Sequence, residues 1–529
     1  MRGNGECEMK QFIKEAGETG RELRQWLGQN LRLCLFTVLV CAVCHTALLV
    51  NSQDILTDTE YYIMEWRDSV KTFVGLGRFG LLFTKLLFRM DGYTPFLFIL
   101  FMMGAMILTC LAFDFFLAQG MQGKNSLLFY AFNALYLTSP VFPHQFYFGF
   151  QAFEVAFAFL LCVTAAFCAF SWAWFGKSPW WCVPAAGLMI WGFSTYQVLV
   201  PFYIAVNASV FVLYYLEDQG KRRDGRGLFS VCIRLAAMFA AGLAGYLILA
   251  RVSAALLSHM AGTGKLFQTY SRWGSMELSG IAAGIRQDLV RVLAHELPAY
   301  SRFYLPVTVL FFLLCLFRGW RAEKKGKVFL LLAAAVTVLS TFFMTFVVGG
   351  PQILRAQLVY PFVLAFCSAA LVKLVGDRKI LTALLCVFFL FSGLEQTKTA
   401  NRYYEAMHLT ALQDQMLAEK IYAQTQSVRD PADEKAVPFV FIGGRKAVET
   451  PSNRLKWDAL GASIFETDPT TRIGSVRIVC LMNSLGLPAS YPTDSQYARA
   501  KELSRDMPCY PAEGSILFEE GMIIVKLSE

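Results

Sequence analysis

The stretch LRLCLFTVLVCAVCHTALLV, residues 31–50, decides the fold. An apolar helix of about 20 residues crosses the roughly 30 Å hydrocarbon core of a bilayer. The residues before it, 1–30, are polar and carry several lysines and arginines, and no small-residue cleavage motif follows the run. We therefore predict a retained membrane span, preceded by an amphipathic segment, rather than a cleaved secretory signal.

The composition of the whole chain is typical of a membrane protein. Its 529 residues are 56% hydrophobic and 16% charged, whereas soluble domains carry about 25% charged residues. The net charge is +9, but no long basic run with interleaved aromatic residues occurs, so we expect no nucleic-acid partner. The 14 cysteines form no zinc-ligand pattern. Cys480 and Cys509, in the tail, could pair only if the tail lies outside the cytoplasm.

Apolar runs of spanning length recur along the chain. They predict about eleven transmembrane helices, at 31–50, 94–118, 126–142, 148–174, 180–196, 197–216, 228–257, 303–318, 327–348, 357–375 and 379–394. The break at Ser194–Gln197 is short, so 180–216 is compatible with one bent helix or with a re-entrant pair.

The distribution of lysine and arginine predicts the orientation. These residues are concentrated in alternate loops between the predicted spans, for example in 221–226 and 318–327. Because cytoplasmic loops are enriched in lysine and arginine, we predict that segment 1–30 is cytoplasmic. The loops 51–93 and 258–302, and the tail from 395, then face away from the cytoplasm.

Both long outer loops contain apolar residues at helical spacing. The repeat in the first loop is Ile63, Trp66, Val70, Phe73 and Gly77, and the repeat in the second is Leu278, Ile281, Ile285, Leu289 and Val292. Charged residues, Asp288 among them, are placed on the other faces. The pattern predicts two amphipathic helices that lie in the outer membrane interface.

The tail predicts a separate small domain. A polar, helix-like stretch at 398–427 is followed by the short β-branched and aromatic runs PFVFIG, SVRIVCL and IIVKL, which are typical of strands. The predicted fold is a polytopic α-helical membrane domain at 31–394, with interfacial helices, and a small α/β extracytoplasmic domain at 395–529.

The first outer loop, NSQDILTDTEYYIMEWRDSVKTFVGLGRFGLLFTKLLFR at 51–89, is unusually acidic for so apolar a chain. Its Asp58 and Glu60 form a D-x-E motif. Carboxylates so spaced could act as a general base or bind a divalent cation such as Mg²⁺ or Mn²⁺. Thr57 and Glu60 could instead form a capping box for a helix that begins near Tyr61. The two interpretations are compatible, and both stay open.

Polar residues at the outer ends of other predicted spans are candidate substrate ligands. Arg78 could hold a lipid phosphate or anchor its helix in the interface. His144 and Glu154 could bind substrate, but a carboxylate near the membrane boundary is also common without such a role. Gln197 could bind a sugar or satisfy the broken backbone around it.

Further charged residues of the outer loops are weaker candidates. Asp54 and Glu65 are acids of the first loop that could contact substrate. Lys265, Arg272 and Arg355 could bind phosphate, although each alone is equally typical of ordinary surface charge.

These features resemble the Gtr-type glucosyltransferases of bacterial surface-polysaccharide modification, type II group, which are polytopic enzymes of the GT-C superfamily. The resemblance rests on an acidic first outer loop followed by Trp66 and by Gly77-Arg78-Phe79. It also rests on STYQ at 194–197 and on the tail sequence MPCYPAEGSILFEEGMIIVKL at 507–527.

The resemblance implies a function and a location. It implies that a sugar, glucose above all, moves from a polyprenyl-phosphate donor to a polysaccharide such as O-antigen, on the outer face of the bacterial cytoplasmic membrane. It also implies a catalytic acid in the first outer loop, without deciding among Asp54, Asp58, Glu60 and Glu65. Two rival functions are a flippase for lipid-linked sugars and a non-catalytic protein of polymer assembly.

Overall fold

The computed structural model describes residues 2–90, 92–121, 126–218, 225–256, 271–321, 326–375, 378–426, 437–451, 454 and 462–529. Helices dominate these residues. The first twelve are α1 (Arg2–Gln29), α2 (Leu31–Val50), α3 (Thr59–Met64), α4 (Trp66–Gly75), α5 (Phe79–Leu87), α6 (Pro95–Gly120), α7 (Ser126–Leu137), α8 (Phe142–Phe146), α9 (Gly149–Ala173), α10 (Cys182–Thr195), α11 (Leu199–Asp218) and α12 (Gly225–Leu256).

The remaining helices run from the second outer loop to the tail. They are α13 (Leu278–Leu293), α14 (Tyr304–Arg321), α15 (Lys327–Leu339), α16 (Phe343–Val348), α17 (Val359–Val375), α18 (Lys379–Thr425), α19 (Arg472–Ser484) and α20 (Asp494–Leu503). Three strands follow the long helix α18, at β1 (Phe439–Ile442), β2 (Ile516–Glu519) and β3 (Met522–Lys526).

The prediction of a polytopic helical membrane protein is confirmed. In the described part of the chain, seven helices are long and apolar enough to span: Leu31–Val50, Pro95–Gly120, Gly149–Ala173, Leu199–Glu217, Gly225–Leu256, Lys327–Val348 and Lys379–Thr425. Three shorter apolar helices are Leu127–Leu137, Tyr304–Trp320 and Val359–Val375. The number eleven stays a prediction.

The region 180–216 forms two helices rather than one bent helix. Helix α10 ends at Thr195, because Tyr196 has an extended backbone with φ −155° and ψ 118°. Helix α10 has 14 residues, or about 21 Å, which is less than the hydrocarbon thickness. The break that follows its end lies in the interior of the protein, where Tyr196 and Val198 are buried.

The interfacial helix expected from Tyr61 to Arg78 is interrupted, so that expectation was wrong. Helices α3 and α4 meet at Glu65. The rings of Tyr62 and Phe73 both stack on Phe150, at 5.0 and 6.2 Å between centroids. In one straight helix these residues would be about 16 Å apart along the axis, so both could not reach one ring. The break at Glu65 folds α4 back beside α3.

The second interfacial helix forms as α13, but its buried face differs from the prediction. Ile281 and Val292 are buried, whereas Leu278 is 74% exposed. Asp288, expected on a polar face, is fully buried. Its carboxylate accepts hydrogen bonds from Thr345 Oγ1 at 2.5 Å and from Gln357 Nε2 at 3.2 Å. Helix α13 is therefore fixed to the segment 345–357 through a polar contact.

The predicted last span and the polar stretch after it are one continuous helix. Helix α18 has 47 residues, Lys379–Thr425, and is about 70 Å long. It crosses the expected domain boundary at 394/395 without a break. The tail is therefore attached to the membrane helices by a stiff element.

The tail contains a three-stranded sheet of order β1-β3-β2. Strand β3 pairs with β1 in parallel, with Phe439 opposite Ile523, and with β2 antiparallel, with Ile516 opposite Val525. The run SVRIVCL, expected as a strand, lies in helix α19. Its Ile478, Val479 and Leu481 pack with the sheet, so tertiary packing overrides the β propensity of its branched residues.

Candidate active site

A cavity of about 610 Å³ lies between the membrane helices and the tail. Segments that are distant in the chain form its wall: α3 and α4, the break after α10, the segment 344–356, and α19. Its polar lining residues are Asp58, Tyr61, Ser69, Thr72, Arg78, Gln151, Tyr196, Gln197, Arg272, Gln352, Arg355 and Arg477. Its apolar lining includes Leu76, Phe150, Val198, Met344, Val348 and Ile353.

The charge of this wall is strongly positive. Four arginines line the cavity, and Asp58 is the one acid among the described lining residues. Guanidinium groups bind phosphate and carboxylate oxygens in a bidentate manner. The cavity therefore suits an anionic ligand that also carries an apolar part.

Asp58 and Glu60 are joined by an arginine from the tail. Arg477 Nη2 donates to Asp58 Oδ1 and to Glu60 Oε1, at 2.6 Å in each case. Arg477 Nε donates to Glu60 Oε1 at 2.8 Å. The expected capping box is absent in this described segment, because Glu60 binds Arg477 while Thr57 Oγ1 accepts a hydrogen bond from Tyr147 at 2.9 Å.

The two carboxylates differ in accessibility. The Asp58 side chain is 45% exposed, whereas that of Glu60 is fully buried behind Arg477. Burial raises the pKa of Glu60 to about 7, and the Arg477 guanidinium opposes this rise. Asp58 is therefore the carboxylate that a substrate in the cavity can reach.

The two acids do not fit a divalent cation. Arg477 already binds Asp58 Oδ1 and Glu60 Oε1, and its positive charge repels a cation at the same place. Within the described ranges, no group of three or more His, Cys, Asp or Glu side chains is placed to hold a metal. We derive no metal-dependent step from this site.

Arg78 and Gln197 meet at the break after α10. The Arg78 guanidinium carbon lies 4.7 Å from the ring centroid of Tyr196. Gln197 Nε2 donates to the carbonyl of Leu76 at 2.6 Å and to Tyr246 Oη at 3.1 Å. The amide thus binds the backbone at Leu76 and also lines the cavity, and its binding of a sugar stays a prediction.

Arg272 lies in the segment before α13, and Arg355 lies in the segment between α16 and α17. The backbone N–H of Arg272 donates to Val348 at 2.8 Å. The Arg272 side chain passes so close to Gly350 that a Cβ there would lie 2.8 Å from its Cζ. Arg355 lies with its Cζ 4.5 Å from the ring centroid of Phe148. The related candidate Lys265 lies outside the described residues.

Four other candidates are not among the residues that line this cavity. Asp54 Oδ2 lies 2.9 Å from His408 Nδ1 on α18. Glu154 Oε1 lies 2.7 Å from Lys85 Nζ, and both side chains are fully buried.

The other two of these candidates, His144 and Glu65, also lie close to side chains from other parts of the protein. His144 is buried with its ring edge-on to Tyr403, at 4.7 Å between centroids. Glu65 lies at the α3–α4 break; burial raises the pKa of the Tyr491 hydroxyl, and the nearby Cys480 and Glu65 add to this rise. A substrate-binding role for these four residues stays a prediction that the cavity does not support.

Sequence reasoning missed Arg477, Gln151, Tyr196 and Gln352. Arg477 was overlooked because SVRIVCL was interpreted as a strand. A lone cation within an otherwise apolar run was the available indication, since a buried charge needs a partner. No comparable indication marks the two glutamines.

Comparison with known families gives a match over most of the membrane part. A family model described as glucosyl transferase GtrII matches residues 47–373. This range contains the described cavity lining except for Ile473 and Arg477. No curated protein and no solved structure matches the chain.

Proposed function

Because the chain belongs to the GtrII glucosyl transferase family and is thus a glucosyltransferase, we propose a specific donor, acceptor and location for its reaction. The donor is a polyprenyl-phosphate-linked glucose, and the acceptor is a hydroxyl of a cell-surface polysaccharide. The reaction takes place on the outer face of the bacterial cytoplasmic membrane.

The observation that carries the proposal is that Asp58 lines one cavity together with Arg78, Arg272 and Arg355. A phosphodiester donor has one negative charge, and the departing polyprenyl phosphate has up to two. Arg78, Arg272 and Arg355 therefore interact more strongly with the leaving phosphate than with the donor. Such differential stabilisation lowers the barrier of the chemical step.

Asp58 completes the reaction as the general base. It accepts the proton of the acceptor hydroxyl while that oxygen bonds to the anomeric carbon of glucose. The bond from this carbon to the phosphate oxygen breaks, and its electron pair leaves with the polyprenyl phosphate. General base catalysis contributes about 10²- to 10⁴-fold.

The position of the cavity supports the proposed side of the membrane. Many of its lining residues lie in the loops that the lysine and arginine distribution predicts to be outside, such as Arg78 in 51–93 and Arg272 in 258–302. The apolar residues Leu76, Val198 and Met344 in the same wall suit the first isoprene units of a lipid tail.

The test uses the full-length protein in membranes with synthetic polyprenyl-phosphate glucose. We expect Asp58→Asn to reduce transfer by at least about 100-fold and Arg78→Ala by about 100- to 1,000-fold. Asp68→Asn and Arg67→Ala are matched controls, because they change exposed charges of the same loop. The controls should retain activity within about two-fold. Full transfer by inserted, folded Asp58→Asn and Arg78→Ala would refute the proposal.

A further inference from the structure

We propose that Arg477, which lies beyond the family match, is a positioning residue that holds the Asp58 carboxylate in the cavity. Glu60, in this view, holds Arg477 and shares its charge, and does not touch substrate. The inference rests on the proposed function, because it assigns roles around the same base.

The first argument is the geometry of the ion pair. One guanidinium edge contacts both carboxylates, with the Asp58 and Glu60 oxygens each 2.6 Å from Nη2. The Arg477 side chain is 11% exposed, and Glu60 is fully buried. An anchored guanidinium of this kind fixes a carboxylate more firmly than a mobile surface lysine can.

The backbone of Asp58 needs such support. Its φ is 72°, in the left-handed region, which residues with a Cβ seldom adopt. Arg477 binds the side chain of this residue, while the Asp58 carbonyl accepts from the Tyr62 N–H at 3.0 Å. The strained conformation directs the half-exposed carboxylate to the cavity, and the tertiary contact to Arg477 stabilises it.

The segment 462–464, which precedes α19, is held beside the first outer loop by contacts with α18 and with Tyr147. On α18, Asp414 accepts from Ser463 Oγ at 2.5 Å and from the Ile464 N–H at 2.7 Å. The Tyr147 hydroxyl contacts both Thr57 Oγ1, at 2.9 Å, and the Ala462 carbonyl, at 3.4 Å. The membrane helices, the loop and the tail are thereby connected around the Arg477 contact.

The experiment measures kcat and donor KM of Arg477→Gln, in the wild-type and in the Asp58→Asn backgrounds, in membranes with polyprenyl-phosphate glucose. The kcat of Arg477→Gln should fall about 10- to 100-fold with the donor KM unchanged. In the Asp58→Asn background, Arg477→Gln should have little further effect, because Arg477 acts through Asp58. Partial unfolding would instead reduce the rate by the same factor in both backgrounds.

Two further comparisons keep the outcome decisive. If Arg477→Gln does not accumulate, the double variant Arg477→Met with Glu60→Gln leaves no fully buried charge unpaired, because the remaining Asp58 carboxylate is half-exposed. This variant should accumulate without regaining activity, and recovery of full activity would overturn the proposal. A raised donor KM in Arg477→Gln, or an equal loss of rate from Arg477→Gln in the wild-type and Asp58→Asn backgrounds, would also overturn it. If Asp58→Asn is inactive in that case, the proposed function survives alone. An active Asp58→Asn would instead reject Asp58 as the base.

Discussion

At the scale of single residues, Glu60 links protonation to folding. Burial raises its pKa from 4.5 to about 7, so the folded state binds this proton more tightly than the unfolded state. Its contribution to stability is complete below about pH 4.5 and is lost as the pH rises to about 7. The sign is opposite to that of a carboxylate whose pKa is lowered by a salt bridge.

We predict that the Tm of the detergent-solubilised wild type falls more steeply from about pH 5 to about pH 7.5 than the Tm of Glu60→Gln, because the amide cannot titrate. Over this pH range, the free energy of unfolding of the wild type should fall by on the order of 3 kcal/mol more than that of Glu60→Gln, at most. Thermal unfolding at several pH values measures it, with Asp68→Asn as the control that should follow the wild type. Parallel curves for Glu60→Gln and the wild type would contradict the prediction.

A second residue-scale prediction concerns the buried pair Lys85 and Glu154. Glu154→Gln leaves the Lys85 ammonium without its carboxylate, which we expect to reduce stability by about 3–5 kcal/mol. The double variant Lys85→Met with Glu154→Met removes both charges and should recover most of the loss. Thermal unfolding and transfer assays check both variants. A stable but inactive double variant would reinstate Glu154 as a substrate ligand.

At the scale of elements, the position of Arg272 depends on a close approach of two segments. Its side chain passes between α13 at Gly284 and the loop at Gly350, where a Cβ would lie 3.2 Å and 2.8 Å from Arg272 atoms Nη1 and Cζ. A side chain at position 350 would displace the guanidinium from the cavity. The glycine thus determines where a charge elsewhere in the chain is placed.

We predict that Gly350→Ala reduces glucose transfer to a similar extent as Arg272→Ala, because both remove the guanidinium from the wall. The double variant should be little worse than either single one, since both changes act on the same group. Gly187→Ala is the control, because no atom lies within 4 Å of the Cβ it adds. Transfer assays on membranes with equal protein content decide the outcome. Additive losses would show that Gly350 acts independently of Arg272.

At the scale of the whole molecule, the orientation in the membrane is the main open prediction. We expect alkaline phosphatase fused after Glu529 to be active and green fluorescent protein at the same point to be non-fluorescent, because the lysine and arginine distribution predicts that the tail lies outside. Fusions that replace the chain after Arg226 should show the reverse. An inactive phosphatase fusion together with a fluorescent green fluorescent protein fusion at the C-terminus would overturn both the predicted orientation and the proposed side of the reaction.

The parts of this molecule that were predictable from sequence are those set by local constraints. The run 31–50 was recognised because the bilayer thickness requires a minimum length of apolar helix. Asp58, Arg78 and Arg272 were recognised because polar residues in outer loops are few in such a chain. That these residues line the same cavity was not predictable, since it depends on packing between distant segments.

The errors have physical causes of the same kind. The break at Glu65 arises because Tyr62 and Phe73 share the ring of Phe150, a contact with no local pattern. Arg477 lies 419 residues from Asp58 in the chain, and the strand propensity of its neighbours hid the helix that presents it.

This separation has a consequence for how the protein is made. Asp58 leaves the ribosome early and Arg477 near the end, and at about 5–20 residues per second the interval is about 20–80 s. If Arg477 is required as proposed, a nascent chain has its membrane helices in place before it has a working catalytic base. Glycosyl transfer then begins only after the tail has been exported and folded, so lipid-linked sugar is protected from incomplete chains.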